Sequence, residues 1–330
     1  MQIDFLTVLI AVVSLVILAL PSFILSKAKL LPEKASETLS ALVLYGCQPA
    51  LVFMSFQGET FKSEIGLNML IVFALSFAVH LIMFFIVKLF VRAKTEEVKL
   101  RCVRAGSVFG NCAYMGLPFL NTLFGGTPII GEVLIYTAVV LTVFNILNWT
   151  LGVYLITGNT KNVSLKKILL NPTIIAAVLG FIVFIIAKVP LVQLADEGTI
   201  LHKVISSLVK SMNFIGDTVT PLAMFVIGIR LANIKFNKLF NDKWAYVTAG
   251  LKLIVSSLVT ILLVSFLPIA ESIKYTCFFL LSMPCATSTA LFAVQFGADG
   301  DSASIYVLLS TVLSILTIPL MFLLFKAVAL

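Results

Sequence analysis

The sequence predicts an all-α integral membrane fold of ten transmembrane helices in two inverted five-helix repeats, with the fourth and ninth helices broken. Three observations support this prediction. The 330-residue chain is 60% hydrophobic and only 12% charged, with a mean hydropathy of +1.13, which is too apolar for a soluble domain. Apolar runs of about 20 residues, enough to cross a bilayer, recur along its length. Short motifs also recur in the same order in both halves.

Each predicted span follows from one of these apolar runs. The spans are, in order, about Phe5–Leu25, Leu39–Phe56, Gly66–Val91, Gly106–Gly125, Val133–Thr157, Asn171–Pro190, Val204–Leu231, Trp244–Leu267, Lys274–Gly297 and Ser304 to the end. Residues 1–157 are predicted to form the first five-helix repeat, 158–171 a cytoplasmic connection, and 172–330 the second repeat. Five spans in each half give the two halves opposite orientations in the membrane.

Basic residues in alternate loops predict the orientation. Sixteen lie on one side and five on the other, and the richer side is expected to be cytoplasmic. The sixteen are Lys27, Lys29, Lys34, Lys88, Arg92, Lys94, Lys99, Arg101, Arg104, Lys161, Lys166, Lys167, Arg230, Lys235, Lys238 and Lys243. We therefore expect a multi-pass protein of the cell membrane with both termini extracellular.

Matching motifs indicate the inverted repeat. Residues 49–53, Pro-Ala-Leu-Val-Phe, match residues 221–225, Pro-Leu-Ala-Met-Phe, in the second and seventh spans. The fourth and ninth spans both end in Phe-Gly, at residues 124–125 and 296–297. Each match is short, but their common order and spacing favour a repeat.

The fourth and ninth spans contain residues that interrupt a helix. Gly110, Asn111 and Pro118 lie in the fourth, and Pro284 precedes a Thr-Ser-Thr run at residues 287–289 in the ninth. Backbone that unwinds inside a membrane must be buried in protein or line a cavity. Two half-helix N-termini would then offer N–H groups and positive dipole ends to an anion, with Asn111, Thr287, Ser288 and Thr289 as neutral donors. Alternatively, the small residues allow close helix packing and the prolines only kink the helices.

Some ionisable residues inside the predicted spans are candidates for function. Asp217 is a candidate proton or cation site, or it caps a half-helix that starts near Pro221. Lys252 either extends to the membrane surface or is a buried cation suited to an anionic substrate and to ion coupling. His80 either titrates or is hydrogen-bonded to a neighbouring helix.

Enzyme signatures are absent from the sequence. The two histidines are far apart, and no G-x-S-x-G or P-loop motif occurs. The five cysteines lack metal-ligand spacing. We expect neither catalysis, nor a metal, nor a cofactor.

Several motifs together resemble the auxin efflux carrier family, in particular its bacterial malate and malonate permease-like branch. The resemblance rests on Gly110-Asn111 through Gly116-Leu-Pro118 and Phe124-Gly125. It rests also on residues 283–289 (Met-Pro-Cys-Ala-Thr-Ser-Thr), 295–299 (Gln-Phe-Gly-Ala-Asp) and 310–319. It covers nearly the whole chain, and the short middle connection fits the bacterial branch.

The resemblance implies a fold like that of bile-acid symporters and sodium/proton antiporters, in which helices 4 and 9 cross. It implies a scaffold of helices 1, 2, 6 and 7, often dimeric, against which helices 3–5 and 8–10 move as an elevator. Gly110, Asn111, Pro118, Pro284 and the Thr287–Thr289 run then belong to the moving crossover. Gln48, Pro49, Asp217 and Pro221 belong to the scaffold side of the substrate path.

The sequence thus predicts a secondary active transporter of a small organic anion, such as malate or malonate. Proton coupling through Asp217, Lys252 or the substrate itself is expected. Direct sodium coupling is the alternative mechanism, because unwound carbonyls can also hold a cation. A non-transporting sensor with a transporter fold is a further alternative, although no long soluble segment is present to signal. A channel is disfavoured because no filter repeat or ring of charge is evident.

Overall fold

The computed structural model describes residues 3–92, 97–233 and 239–330 of the protein. Of the basic residues that set the predicted orientation, Lys94, Lys235 and Lys238 lie outside the described residues. The main helices are α1 (Phe5–Lys27), α2 (Ala35–Ser55), α3 (Ser63–Phe90), α4 (Glu97–Val108), α5 (Cys112–Phe124), α6 (Ile130–Thr157), α7 (Pro172–Ala187), α8 (Ile200–Asn233), α9 (Lys243–Ser265), α10 (Glu271–Leu281), α11 (Thr287–Gln295) and α12 (Gly300–Ala329).

The helices confirm a multi-pass, all-α membrane protein. Within the described ranges, seven are long and apolar enough to cross a bilayer, and an eighth span arises if Thr160–Leu169 and α7, bent by 44°, are counted together. The two remaining apolar segments are each broken, into α4 with α5 and α10 with α11. The predicted breaks are therefore present, while the total of ten spans stays a prediction.

Side-chain caps define several helix starts. The Asp4 carboxylate accepts a hydrogen bond from the Thr7 N–H before α1, and the Asp299 carboxylate accepts one from Ser302 before α12. Asn171 accepts from the N–H groups of Thr173 and Ile174. Pro172 follows at the first helical position, where a missing N–H carries no penalty. The predicted start of the sixth span is thus set by local chemistry.

The fourth segment is longer than the sequence predicts. Its helical part begins at Glu97 rather than at Gly106. The added turns are rich in charge, so a hydropathy pattern excludes them. In the structure, Arg104 donates to the Glu97 carboxylate at 2.8 Å and Arg101 lies 3.6 Å from it. These contacts allow a charged half-helix to continue into the apolar one.

The helices pack in two recognisable groups. In one group, α1 packs along the second half of α8, and α2 packs on α7 and α8. In the other group, α3 packs on α6, and α9 and α11 pack on α12. These groups contain the helices that the sequence assigns to a scaffold and to a moving part, but relative movement and the domain boundaries stay predictions.

The two broken segments cross at their breaks. The Asn111 N–H donates to the Pro284 carbonyl at 2.7 Å, and the Ala286 N–H donates to the Phe109 carbonyl at 2.9 Å. Gly110 and Cys285 thereby face each other in a short antiparallel bridge. The unwound N–H and carbonyl groups of the two breaks thus form hydrogen bonds with each other. Backbone groups buried at membrane depth need such partners because no water reaches them.

Candidate functional site

A cavity of about 460 Å³ lies against the crossover. It runs from exposed lysines near the start of α7 to buried amide side chains beside the breaks. Its polar and charged lining residues are Ser40, Tyr45, Gln48, Asn111, Tyr114, Asn145, Asn148, Lys166, Lys167, Asn171, Thr173, Arg230, Thr287, Ser288 and Gln295. The size suits a small organic molecule.

Both half-helix N-termini border this cavity. Asn111 and Ala113 contribute from the start of α5, and Thr287 and Ser288 contribute from the start of α11. Neither helix start has a side-chain cap. The N-terminal end of a helix carries a partial positive charge and unsatisfied N–H groups. The crossover therefore presents two electropositive ends to one cavity.

Four buried polar atoms of the cavity lining have no hydrogen-bond partner among the described residues. They are the Ser40 Oγ, Gln48 Oε1, Asn111 Nδ2 and Ser288 Oγ. Gln48 and Asn111 are only 1% and 2% exposed. A buried donor or acceptor left unpaired costs about 1–3 kcal/mol, so these four atoms are available to pair with water or with a polar ligand in the cavity.

The charge of the lining is positive. Arg230, Lys166 and Lys167 line the cavity, and no Asp or Glu is among the described residues that do. The Lys167 ammonium lies 5.6 Å from the ring centres of both Trp149 and Phe296, which holds this cation at the wall of the cavity. The described lining is therefore complementary in charge to an anion.

Arg230 connects the two helix groups at the cavity. Its Nε donates to the Ser36 hydroxyl at 3.1 Å, and its Nη1 donates to the Thr287 carbonyl at 3.4 Å. Ser36 lies in α2, whereas Thr287 begins α11. A guanidinium has five N–H donors, so those not used in these two bonds can meet a carboxylate in the cavity.

Lys252 is buried directly behind the crossover rather than extended to a surface. It is 1% exposed, and its ammonium donates to the Leu281 carbonyl at 2.9 Å and to the Ser256 hydroxyl at 3.1 Å. Leu281 is the last residue of α10, so the cation lies at the negative end of that half-helix. A Cβ on Gly110 would lie 2.9 Å from Lys252 Cε and 3.2 Å from the Met283 carbonyl, so this close approach requires glycine.

Four π-helical turns occur next to these residues within the described ranges. Leu42–Cys47 directly precedes Gln48, Cys112–Gly116 follows Asn111, Asn148–Gly152 begins with Asn148, and Leu251–Val255 contains Lys252. A π-turn inserts one residue and turns the following side chains about the helix axis, and such turns are frequent at functional sites. Their positions support the assignment of this region as the site.

The other sequence-predicted residues lie around the cavity or away from it. Gly110, Pro118, Pro284 and Thr289 are buried in the breaks and adjacent turns without lining the cavity. Pro49 and Pro221 lie in α2 and α8, also outside the lining.

Asp217 is exposed and does not line the cavity. Its carboxylate forms no hydrogen bond or ion pair among the described residues, so the alternative of a helix cap at this position is not seen. Its predicted part in ion coupling stays a prediction.

Several lining residues were not predicted as site residues. Asn145 and Asn148 are three positions apart on α6, and this spacing inside an apolar span puts both amides on one helix face. That signal was available in the sequence. Arg230, Lys166 and Lys167 were interpreted only as topology signals, because their distance from the crossover is a property of the fold.

Comparison with known proteins supports this architecture. The chain matches the profile of the family described as membrane transport protein over residues 7–164 and again over residues 156–322. It is 23% identical over 295 residues to an uncharacterized transporter of Methanocaldococcus jannaschii, covering 88% of this chain and 90% of the relative. It is 24% identical over 313 residues to an uncharacterized transporter of Methanothermobacter thermautotrophicus, covering 94% and 95%. The chain therefore belongs to the membrane transport protein family, the auxin efflux carrier family that its motifs resemble.

Proposed function

We propose that this membrane transport protein is a secondary active transporter of a small organic anion, with a dicarboxylate such as malate or malonate as the substrate. The main support is the cavity at the crossover, which combines three cations, two half-helix N-termini and four unpartnered polar atoms. Carboxylate oxygens are the ligands that such donors stabilise.

In this proposal the substrate binds between two groups of helices. Gln48 and Arg230 approach from α2 and α8, while Asn111 and Thr287 approach from α5 and α11. An elevator movement of the second group against the first would carry Asn111 and the half-helix ends with the substrate and leave Arg230 behind. The lining lysines belong to the set predicted to be cytoplasmic, so the cavity corresponds to an inward-open state.

Proton coupling is the mechanism that we favour. Lys252 places a resident positive charge at the end of α10, next to the unwound carbonyls that a sodium ion would otherwise occupy. Repulsion between two cations disfavours sodium there. The proton would enter with the acid itself or through a group of the protein, with Asp217 and Lys252 as the candidates.

Uptake of labelled malate and malonate into proteoliposomes tests the proposal, with the internal pH and the sodium gradient set separately. We expect uptake to follow the proton gradient and to fall about tenfold or more in Asn111→Ala and Arg230→Gln, because hydrogen bonds to a charged group contribute about 1.5–3 kcal/mol. Lys203→Gln, an exposed lysine outside the cavity lining, is the matched control for charge.

Three other results of the uptake experiment would each contradict one part of the proposed function. Uptake driven by sodium alone would overturn the proton mechanism. Normal uptake in both Asn111→Ala and Arg230→Gln would overturn the site. No uptake of either acid by folded protein would overturn the dicarboxylate assignment and call for monocarboxylates and neutral solutes.

A further inference from the structure

A second cavity, of about 440 Å³, lies between the ends of α3, α4 and α6. It shares no lining residue with the cavity at the crossover. Its lining is formed by Phe84, Lys88, Arg92, Glu97, Arg101, Arg104, Tyr154, Leu155 and Gly158. Because α3 and α6 both end here, the pocket lies where membrane helices reach the membrane surface.

The lining of this pocket is strongly basic. Among the described residues that line it, Lys88, Arg92, Arg101 and Arg104 face one carboxylate, that of Glu97. Glu97 accepts from Arg104 at 2.8 Å and lies 3.6 Å from Arg101 Nε. One carboxylate cannot neutralise four cations, so this part of the lining, counted over the residues that the structure describes, carries an excess of positive charge.

The arginines also have an ordinary structural role at helix ends. Arg92 Nε donates to the Lys88 carbonyl at 3.0 Å, Arg104 Nε donates to the Val91 carbonyl at 3.1 Å, and Arg101 Nη1 donates to the Thr157 carbonyl at 3.0 Å. These bonds satisfy carbonyls at the C-terminal ends of α3 and α6. They use one of five donors on each guanidinium. The caps therefore fix the three guanidinium groups and leave most of their N–H groups available.

Gly158 shows how closely Arg101 is held. Its φ of 66° lies in the left-handed region, and a Cβ there would lie 2.9 Å from Arg101 Cζ. The guanidinium thus lies against the backbone that ends α6. A planar, fixed guanidinium suits bidentate binding of phosphate oxygens.

Apolar surface adjoins the charged pocket. Phe85, Leu89 and Phe90, on the last turns of α3, are 63%, 58% and 72% exposed. Phe84 lines the pocket itself, with the Lys88 ammonium 5.7 Å from its ring centre. On a membrane helix, such exposed residues contact acyl chains. The pocket therefore combines a cationic end with an adjoining lipid-facing surface.

We propose that this pocket binds the phosphate headgroup of an anionic phospholipid, whose acyl chains lie along the end of α3. Basic pockets between membrane helices are suited to such headgroups, and each basic residue near a membrane surface contributes about 1 kcal/mol of attraction. The site is independent of the transported substrate, because it requires only that the helices span a membrane.

Native mass spectrometry of the full-length protein, titrated with phosphatidylglycerol or phosphatidylcholine, tests this site. We expect phosphatidylglycerol to bind in preference to phosphatidylcholine. Lys88→Gln/Arg92→Gln should weaken that binding by roughly 25-fold, about fivefold for each cation. Lys29→Gln/Lys34→Gln removes the same charge from exposed positions outside the pocket and should leave binding unchanged. Arg92→Gln alone provides a milder variant if the double variant folds poorly.

Three outcomes would overturn the proposal. Equal affinity for the two lipids would show that the headgroup charge is not recognised. Equal weakening by both double variants would show only a general effect of net charge. Displacement of the bound lipid by millimolar inorganic phosphate, or phosphate binding of equal strength without lipid, would make this a site for a soluble anion.

Discussion

Positions 80 and 252 occupy corresponding places in the two halves of the molecule but carry different chemistry. They are 172 residues apart, the same offset that separates Pro49 from Pro221 and Phe124 from Phe296. Each side chain is 1% exposed and lies beside the break of its own half. The His80 ring centre is 5.5 Å from that of Phe109, and Lys252 donates to Leu281, which is the counterpart of Phe109 by the same offset.

The two side chains differ in whether they form a hydrogen bond to the break. His80 Nδ1–H donates to the Ser76 carbonyl, one turn earlier in its own helix, at 2.7 Å. Lys252 instead crosses to another helix and donates to the last carbonyl of α10. The repeat therefore preserves the position of the polar group, while position 252 in the second half places a lysine ammonium at a half-helix end and position 80 in the first half does not.

Two halves that share one backbone arrangement can therefore differ in the charge of a side chain at the same position. The backbone arrangement comes from both halves equally, since each break donates one hydrogen bond to the other. The ammonium comes from one half. Both halves thus supply the backbone and an electropositive helix end at the crossover, and the second half adds the Lys252 ammonium.

Among changes that test the comparison between positions 80 and 252, Lys252→Met is expected to have the largest effect. Methionine is apolar and of similar length, so the helices should still assemble, since replacing a buried charge is often tolerated. Anion affinity should fall about tenfold, because a unit charge on the order of 10 Å away contributes roughly 1.5 kcal/mol at an effective dielectric of 20. The KM for uptake in proteoliposomes measures this change.

Lys210→Met is the control for Lys252→Met. Lys210 is also in a predicted span, but it is exposed beside Phe214, and its removal should leave KM unchanged. An unaltered KM in Lys252→Met would contradict the electrostatic role.

A smaller effect is expected for Gly110→Ala. The added methyl group would meet Lys252 Cε at 2.9 Å and push the ammonium away from Leu281. Because the lysine side chain can partly adjust, we expect anion affinity to fall by about threefold. This is less than the fall of about tenfold expected when Lys252→Met removes the charge. Uptake kinetics and thermal midpoints measured together separate loss of function from loss of fold.

Gly250→Ala serves as the control for Gly110→Ala. Gly250 lies in α9, and nothing is within 4 Å of its added Cβ, so alanine there should be neutral or slightly stabilising. Equal losses in the two variants would show that crowding against Lys252 is not the cause.

The smallest effect is expected for His80→Gln. Glutamine is neutral and keeps a donor within reach of the Ser76 carbonyl, so uptake and its pH dependence should stay within about twofold of the unchanged protein, since a kept hydrogen bond costs little. A loss as large as that of Lys252→Met would show that the two positions act as a pair. The comparison between the halves would then have to be revised.

The breaks could be predicted because they depend on local chemistry, whereas the crossing was implied by the family resemblance. Glycine and proline weaken a helix, as at Gly110 and Pro284, and an interruption inside a membrane has few stable solutions. The fold class follows from the same apolar patterning that sets the spans. The helix boundaries were less predictable where charge continues a helix, as at Glu97.

Much of the cavity could not be predicted, because its residues are distant in the sequence. In the sequence, Arg230 is a basic residue near a loop and indicates only membrane orientation. The structure places it next to Ser36 and Thr287. Lys252 left two interpretations open, since a sequence does not show which way a long side chain turns. Asp217 attracted attention as a carboxylate in an apolar span, although the structure places it on the exposed surface.

The link at the crossover has a consequence for how this protein can diversify. The two broken segments are joined through main-chain atoms, at Asn111 with Pro284 and at Ala286 with Phe109. Side-chain changes do not remove those bonds. Mutations in the surrounding amide and basic side chains can therefore change the chemistry of the cavity while the main-chain bonds between the two segments are kept, so related chains can diverge in the solute they accept without a change of fold.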